Sequence, residues 1–392
     1  MEKVYIVAAQ RTPIGKFNGQ LASKSAVELG AIAIKAAVEK AKLSGNDIDQ
    51  VLMGNVIQAG TGQNPARQAS MAAGLGEQVP AITINDVCAS GMSSVNLAAS
   101  LIRAGQANVI VAGGMESMSQ APYVLPKARN GYRLGNGTLL DAMQSDALND
   151  VYGGYPMGIT AENINDKYQI TRRQQDEFAL LSHQRAVKAQ KAGYFDSEIV
   201  PVEVKQKRTT VTVKVDEAPR SDTSLVALAK LKPAFKSDGS VTAGNASGIN
   251  DGGAALVLAS ESAVNQLGLT PLAEWQGSAV VGLDPALMGL GPYYAINKLL
   301  KNQQMAADDV DTYEINEAFA TQALVCQELL HLDPNAVNPW GGAIALGHPV
   351  GCSGARIIVT MINEMHGDNH ELGIAALGVG GGMGEAVLLK KI

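Results

Sequence analysis

Cys88 sits in Asn85-Asp86-Val87-Cys88-Ala89-Ser90-Gly91-Met92, behind the apolar run 81–84 and ahead of Ser93-Ser94-Val95-Asn96-Leu97-Ala98. That pattern reads as strand, sharp turn and helix. A thiol at a helix start meets unpaired backbone N–H groups and the positive end of the macrodipole. Both favour the thiolate, the nucleophilic form of cysteine. Most lone cysteines are small buried hydrophobes. The small residues crowded around this one, and the helix start beside it, favour a nucleophile. A second stretch with chemistry in it is Gly341-Gly342-Ala343-Ile344-Ala345-Leu346-Gly347-His348-Pro349-Val350-Gly351-Cys352-Ser353-Gly354. Pro349 restrains His348, and Gly347 lets backbone approach it. A third is Asn316-Glu317-Ala318-Phe319, after a strand-like run, and a fourth is Gly378-Val379-Gly380-Gly381-Gly382-Met383-Gly384. All fall at strand ends or helix starts, where α/β sheets bind ligands. Cys88, His348 and Asn316 make a nucleophile–base–orienter set.

The elements that must position these groups repeat. Residues 25–43 have helical apolar spacing, then Asp47-Ile48-Asp49 leads into the strand 50–53 and Gly54-Asn55. Later a helix beginning at Ala295 leads to Asp309-Val310-Asp311, the strand 312–315 and Asn316. Likewise Cys88-Ala89-Ser90-Gly91 opens a helix before the strand 109–112 and Gly113-Gly114. Gly351-Cys352-Ser353-Gly354 opens a helix before the strand 373–377 and Gly378. The spacing predicts a duplicated α/β unit with a mostly buried sheet. Between the halves, residues 119–250 carry Gly/Pro turns, a charged helix over 171–192 and a polar hairpin over 202–215. An insertion of this length reads as a lid or binding domain.

The 392 residues, 46% hydrophobic, suffice for two or three cores. A net charge of −6 without a basic block, and 4% aromatic residues, exclude a nucleic-acid footprint. Three cysteines, Cys88, Cys326 and Cys352, fit a reducing compartment and no disulfide framework. Met1-Glu2-Lys3 runs straight into the strand 4–9, so no signal peptide is expected. No apolar run of about 18 residues suggests a membrane span. A cytoplasmic protein without membrane partners is the expectation. His366 and His370 are the one ligand-spaced histidine pair, expected in a solvated loop, so no metal site is expected.

Asn-x-x-Cys-Ala-Ser-Gly, Asn-Glu-Ala-Phe, Gly-His-Pro-x-Gly-x-Ser-Gly and the terminal Gly-Gly-Gly-Met-Gly loop together resemble the thiolase family, closest to its biosynthetic acetyl-CoA acetyltransferases. Arg11-Thr12-Pro13-Ile14-Gly15 and Asn245-Ala246-Ser247-Gly248 extend the resemblance over essentially the whole chain. It implies an α/β thiolase fold of two duplicated five-layered (α-β-α-β-α) halves with an inserted loop domain that holds coenzyme A. The expected boundaries are 1–118 plus 249–270 for the first half, 119–248 for the insert and 271–392 for the second half. It also implies no cofactor beyond the substrates acetyl-CoA, acetoacetyl-CoA and CoA, and a homo-oligomer, a dimer of dimers, contacting through residues 127–141.

The resemblance implies two-step acyl transfer. Cys88 takes an acetyl group with His348 as base, CoA leaves, and the enolate of a second acetyl-CoA attacks. One oxyanion hole would use His348 and a water held by Asn316. The other would use the N–H groups of Cys88 and Gly380. Ser247, Ala243 and Gly244 match pantetheine-contacting positions, Ala318 and Phe319 line the same channel, and Arg220 matches a residue near the adenine. Met157 and Met288 match the border of the acyl pocket, which favours short substrates. One position departs from the pattern. The family's second catalytic cysteine, which moves the α-proton, is here Gly378, and glycine cannot titrate. Acyl exchange with impaired C–C chemistry is therefore expected. The alternatives are exchange alone, a related condensing synthase, or a non-catalytic CoA-binding scaffold.

Overall fold

The structure, a computed structural model, describes residues 2–206 and 209–392. Lys207 and Arg208, inside the expected hairpin 202–215, and Met1 lie outside the described residues. Nine strands form the backbone of one mixed sheet: β1 (Val4–Arg11), β2 (Gln50–Gly54), β3 (Ala81–Ile84), β4 (Val109–Ser117), β5 (Asn250–Ser260), β6 (Ala273–Gly282), β7 (Thr312–Ile315), β8 (Leu372–Val379) and β9 (Met383–Lys391). Their order is β7-β8-β9-β6-β1-β5-β4-β2-β3. In each half two antiparallel pairings are followed by parallel ones: β1–β5–β4 then β2 and β3, and β6–β9–β8 then β7. The halves join where Tyr5 and Ile6 pair with Glu274 and Ala273.

Four helices give the layers: α1 (Ala26–Lys40), α2 (Ser90–Arg103), α3 (Gly291–Gln303) and α4 (Val350–Gly367). The five layers run through both halves together. α1 covers the outer face of the first half and α3 that of the second, while α2 and α4 pack on each other between the two sheet regions. The largest core cluster is this central layer, with Met92, Val95, Ile102, Ile357, Ile358 and Met361 against Leu52, Leu256, Leu377 and Leu389. α2 and α4 cross at glycines. A Cβ on Gly91 would lie 2.6 Å from Ala355 N, and one on Gly354 2.4 Å from Met92 N. Any larger side chain here would push apart the two helices that carry the site.

Local signals explain the element starts. Ser25 and Thr171 make capping boxes with Glu28 and Gln174, so the helices begin one residue inside the expected 25–43 and 171–192. The expected strands 50–53, 109–112 and 373–377 are there and longer. The helix that Gly351-Cys352-Ser353-Gly354 opens runs over Val350–Gly367 and is buried nearly all round, so no polar face marks its ends. His366 therefore lies in a helix, its Nε2 2.9 Å from the Leu272 carbonyl, rather than in the expected loop.

Two aspartates set the true match between the halves. Asp49 accepts from Asn108 N and Val109 N at the foot of β4, and Asp311 accepts from Glu371 N and Leu372 N at the foot of β8. Carried along the registers, Asn316 matches Gly54 and Gly378 matches Met115, not Gly113. The glycine runs after the two strands are thus misleading landmarks. At these two places the first half has Gly54 in place of the amide and Met115 in place of the glycine, so the site residues are not duplicated.

Candidate active site

Cys88 lies on the turn of a short 3-10 segment, Val87–Ala89, immediately ahead of α2. Val87 has φ +45°, a left-handed conformation costly for a β-branched residue. Such a turn persists because its surroundings hold it. Ser90 Oγ donates to Val87 O at 2.6 Å and accepts from Asp86 N at 2.8 Å, and Asn85 Oδ1 accepts from Val87 N at 3.1 Å. The strained turn pushes the thiol out of the helix axis into a cavity. There the sulfur feels its own N–H and the Gly380 N–H, both of which favour the thiolate. These are the two donors expected of an oxyanion hole. Gly380 can come this close because it lacks a Cβ, which would meet Met157 Cε at 2.6 Å and Val87 Cγ1 at 3.3 Å.

Burial reverses the thiolate expected at this helix start. Burial pushes the Cys88 thiol up to about 11, outweighing the two N–H groups, and Asp86 adds a smaller rise. At neutral pH Cys88 is a thiol and needs a base.

His348 can be that base. Burial, with a smaller contribution from Arg356, lowers its pKa to about 4, so it is neutral at pH 7. Its Nδ1 contacts Ser353 Oγ, and that hydroxyl gives its one hydrogen to Pro349 O at 2.9 Å. Ser353 therefore accepts from Nδ1–H, and Nε2 is left as the bare acceptor. The ring is set from behind as well: His348 N donates to Asn250 Oδ1 at 2.9 Å, and Asn250 Nδ2 donates to Gly15 O at 2.9 Å. Gly347 has φ +110°, and a Cβ there would lie 2.4 Å from Asn250 Cγ. Only glycine permits this approach. Replacing Ser353 by alanine removes the acceptor that selects the tautomer. Ser353→Ala is expected to slow acyl transfer roughly 10–100-fold, the worth of a buried hydrogen bond of about 1–3 kcal/mol, with folding retained by circular dichroism.

Asn316 follows β7 and is 1% exposed, yet neither its Nδ2 nor its Oδ1 has a partner among the described residues. A buried amide left so costs stability unless it holds a water or ligand atom. Glu317 beside it has a scaffold duty. It accepts from Ser182 Oγ at 2.6 Å, Asn338 Nδ2 at 2.8 Å and Ile344 N at 3.1 Å, and so pins the loop leading to His348. Ser182 comes from the helix Arg172–Ala192 of the insert, which thereby helps place the base.

Cys88 and His348 line one cavity of about 460 Å³, together with Met157, Met288, Ala318, Phe319, Ala243 and Ser247. Its mouth continues into a second cavity that shares Ala243 and holds Gly244 and Arg220. His183 lines this second space, its Nδ1 accepting from Arg220 N at 3.2 Å. Every expected contact residue thus lies on one of two adjoining spaces. Asn316, Gly378 and Gly380 do not line the first cavity; all three are buried. Sequence reasoning missed Asn250 and Ser353, whose roles are partners in space. It also missed Phe17, Met118, Leu148 and Phe235 in the lining, which come from irregular segments without apolar period. Cys326 and Cys352 are buried, each pushed up to about 12 by burial, and Cys326 points at Gly289 O. Neither lines the cavity that holds Cys88 and His348.

Known proteins share this fold and much of this sequence. The thiolase N-terminal domain family matches residues 4–262, and the thiolase C-terminal domain family matches residues 269–391. The acetyl-CoA acetyltransferase of Escherichia coli (strain K12) is 52% identical over the full length of both chains. The probable acetyl-CoA acyltransferase of Staphylococcus epidermidis is 47% identical over 100% of this chain and 99% of its own. The crystal structure of the Bacillus anthracis acetyl-CoA acetyltransferase superposes with a TM-score of 0.98 at 46% identity, covering 100% of this chain and 99% of the other. Human mitochondrial 3-ketoacyl-CoA thiolase superposes at 0.97 and 42% identity, with the same coverage. With both family domains matched end to end and the fold superposed over its whole length, this chain belongs to the thiolase family.

Proposed function

We propose that this chain is an acetyl-CoA C-acetyltransferase working through an acetyl group on Cys88, with C–C bond formation and cleavage impaired. The observation that carries the reading is the pairing of Cys88 with a neutral, tautomer-set His348 in one cavity, beside two N–H groups aimed at the sulfur. Cys88 enters as a thiol. As its sulfur attacks the thioester carbonyl, its proton passes to His348 Nε2. The oxygen of that carbonyl takes up negative charge and is met by Cys88 N–H and Gly380 N–H. Collapse expels CoA thiolate, which recovers the proton from the imidazolium. The reverse steps exchange free CoA.

Condensation asks for more. An α-proton must leave the second acetyl-CoA, and its enolate oxygen needs donors. His348 and a water held by the unpartnered Asn316 amide serve the oxygen. The α-proton has no acceptor at Gly378. Met157 and Met288 narrow the cavity around Cys88, which supports short acyl chains. CoA is placed with its pantetheine along Ala243, Gly244, Ser247, Ala318 and Phe319, and its adenine end towards Arg220. The exposed apolar side chains Leu134, Leu139 and Leu140 on the loop 127–141 support assembly with further copies as a dimer of dimers.

The test is a paired assay on one preparation: exchange of labelled CoA with acetyl-CoA, beside thiolysis of acetoacetyl-CoA. Exchange is expected to be robust, with thiolysis slower than in a cysteine-bearing thiolase by the 10²–10⁴-fold that acid–base groups typically contribute, roughly. Equal activity in both would overturn the role given to Gly378. Neither activity would favour the scaffold reading.

A further inference from the structure

Ser93, on α2, bonds two carboxyls at once. Its Oγ lies 2.7 Å from Asp86 Oδ2, in the Cys88 turn, and 2.6 Å from Glu385 Oε2, on β9 of the other half. A serine hydroxyl has one hydrogen and can donate to one of them only. The other contact needs a hydrogen from a carboxyl. Glu385 Oε1 is not free to carry it, since it accepts from Asn96 Nδ2 at 2.7 Å. Asn96 is held that way round because its Oδ1 accepts from Trp275 Nε1 at 2.9 Å. One proton therefore belongs to the line Asp86–Ser93–Glu385.

The surroundings agree. Among the described residues neither carboxyl makes an ion pair. Arg103, on the same helix, spends its guanidinium over the Trp275 ring at 4.5 Å and on the Trp275 carbonyl. Trp275 itself, on β6, is neutral. Cys88 is the other titratable group felt by Asp86. Burial raises both carboxyls, Glu385 to about 7, and hydrogen bonds from Ser93 and Asn96 only partly offset it.

The bridge joins two parts of the site. β9 follows directly on the Gly380–Gly382 connection from β8, and Gly380 supplies an N–H to the Cys88 sulfur. We propose that Glu385 is a positioning residue: through Ser93 and the shared proton it fastens the Cys88 turn to the strand hairpin that carries Gly380, and so holds both N–H groups on the acyl oxygen. This rests on the acyl-transfer reading of Cys88. When the proton is lost, two carboxylates face one hydroxyl and the fastening loosens.

The experiment follows the rate of Cys88 acetylation by acetyl-CoA between pH 6 and 8.5, in the parent, Glu385→Gln and Ser93→Ala. The glutamine amide gives Ser93 the hydrogen that the carboxyl gave, at every pH, and still accepts from Asn96. The ratio of the Glu385→Gln rate to the parent rate is expected to rise roughly tenfold across that range, as a group with a midpoint near neutrality loses its proton. Ser93→Ala is expected to be slow at both ends. A ratio that stays flat with pH, or Ser93→Ala matching the parent, overturns the inference alone. A parent that forms no acetyl-enzyme at any pH overturns the acyl-transfer reading with it.

Discussion

Gly378→Cys is expected to raise the ratio of thiolysis to CoA exchange by roughly 10²–10⁴-fold, the range for a positioned acid–base group. The gain comes with a structural cost. A Cβ at 378 would lie 2.9 Å from Met288 O, 3.4 Å from Gly289 Cα and 3.5 Å from Pro292 Cδ. The segment Pro285–Leu290 must therefore move by a few tenths of an ångström. Overpacking of this kind typically costs about 1–3 kcal/mol. The variant should be more competent in C–C chemistry and melt at a lower temperature. Parallel thiolysis and exchange assays, with a thermal melt, read both signs. A variant with an unchanged ratio would mean that a water already moves the α-proton, and that the glycine is no handicap.

Cys88→Ser is expected to abolish exchange, by about 10³–10⁶-fold, because removing a covalent nucleophile removes the pathway and not merely one interaction. A serine hydroxyl beside a base with a pKa of about 4 is a far poorer nucleophile than the thiol. The same variant settles which sulfur reacts. Cys326 and Cys352 are buried with thiols pushed up to about 12, whereas Cys88 opens on the cavity. Iodoacetamide should modify one cysteine in the parent, suppressed by acetyl-CoA, and none in Cys88→Ser. Persisting exchange in Cys88→Ser would remove the nucleophile from the account. Persisting CoA binding without exchange is the expected behaviour of an intact cavity lacking its sulfur.

Much of this was legible in the chain itself. The Cys88 turn, the Gly-His-Pro segment and the strand ends bearing Asn316 and Gly378 are local features, marked by glycine, proline and apolar runs within a few residues. So are the nucleophile and base themselves. What the sequence by itself determined is the inventory of reactive groups and the elements that carry them.

The tertiary structure decided their state. The helix start at Cys88 argued for a thiolate, and burial reversed it, because desolvation depends on what covers a group and not on its neighbours in the chain. His348 became a neutral base of known tautomer only when Ser353 and Asn250 met it from two different segments. The match between the halves was misread from glycine runs and was set right by Asp49 and Asp311, whose hydrogen bonds cross between strands. The bridge from Asp86 through Ser93 to Glu385 links residues almost 300 positions apart, Ser93 and Glu385 being separated by 292. Local composition reports which atoms are present; only packing brings distant atoms into one dielectric environment, where proton positions are set.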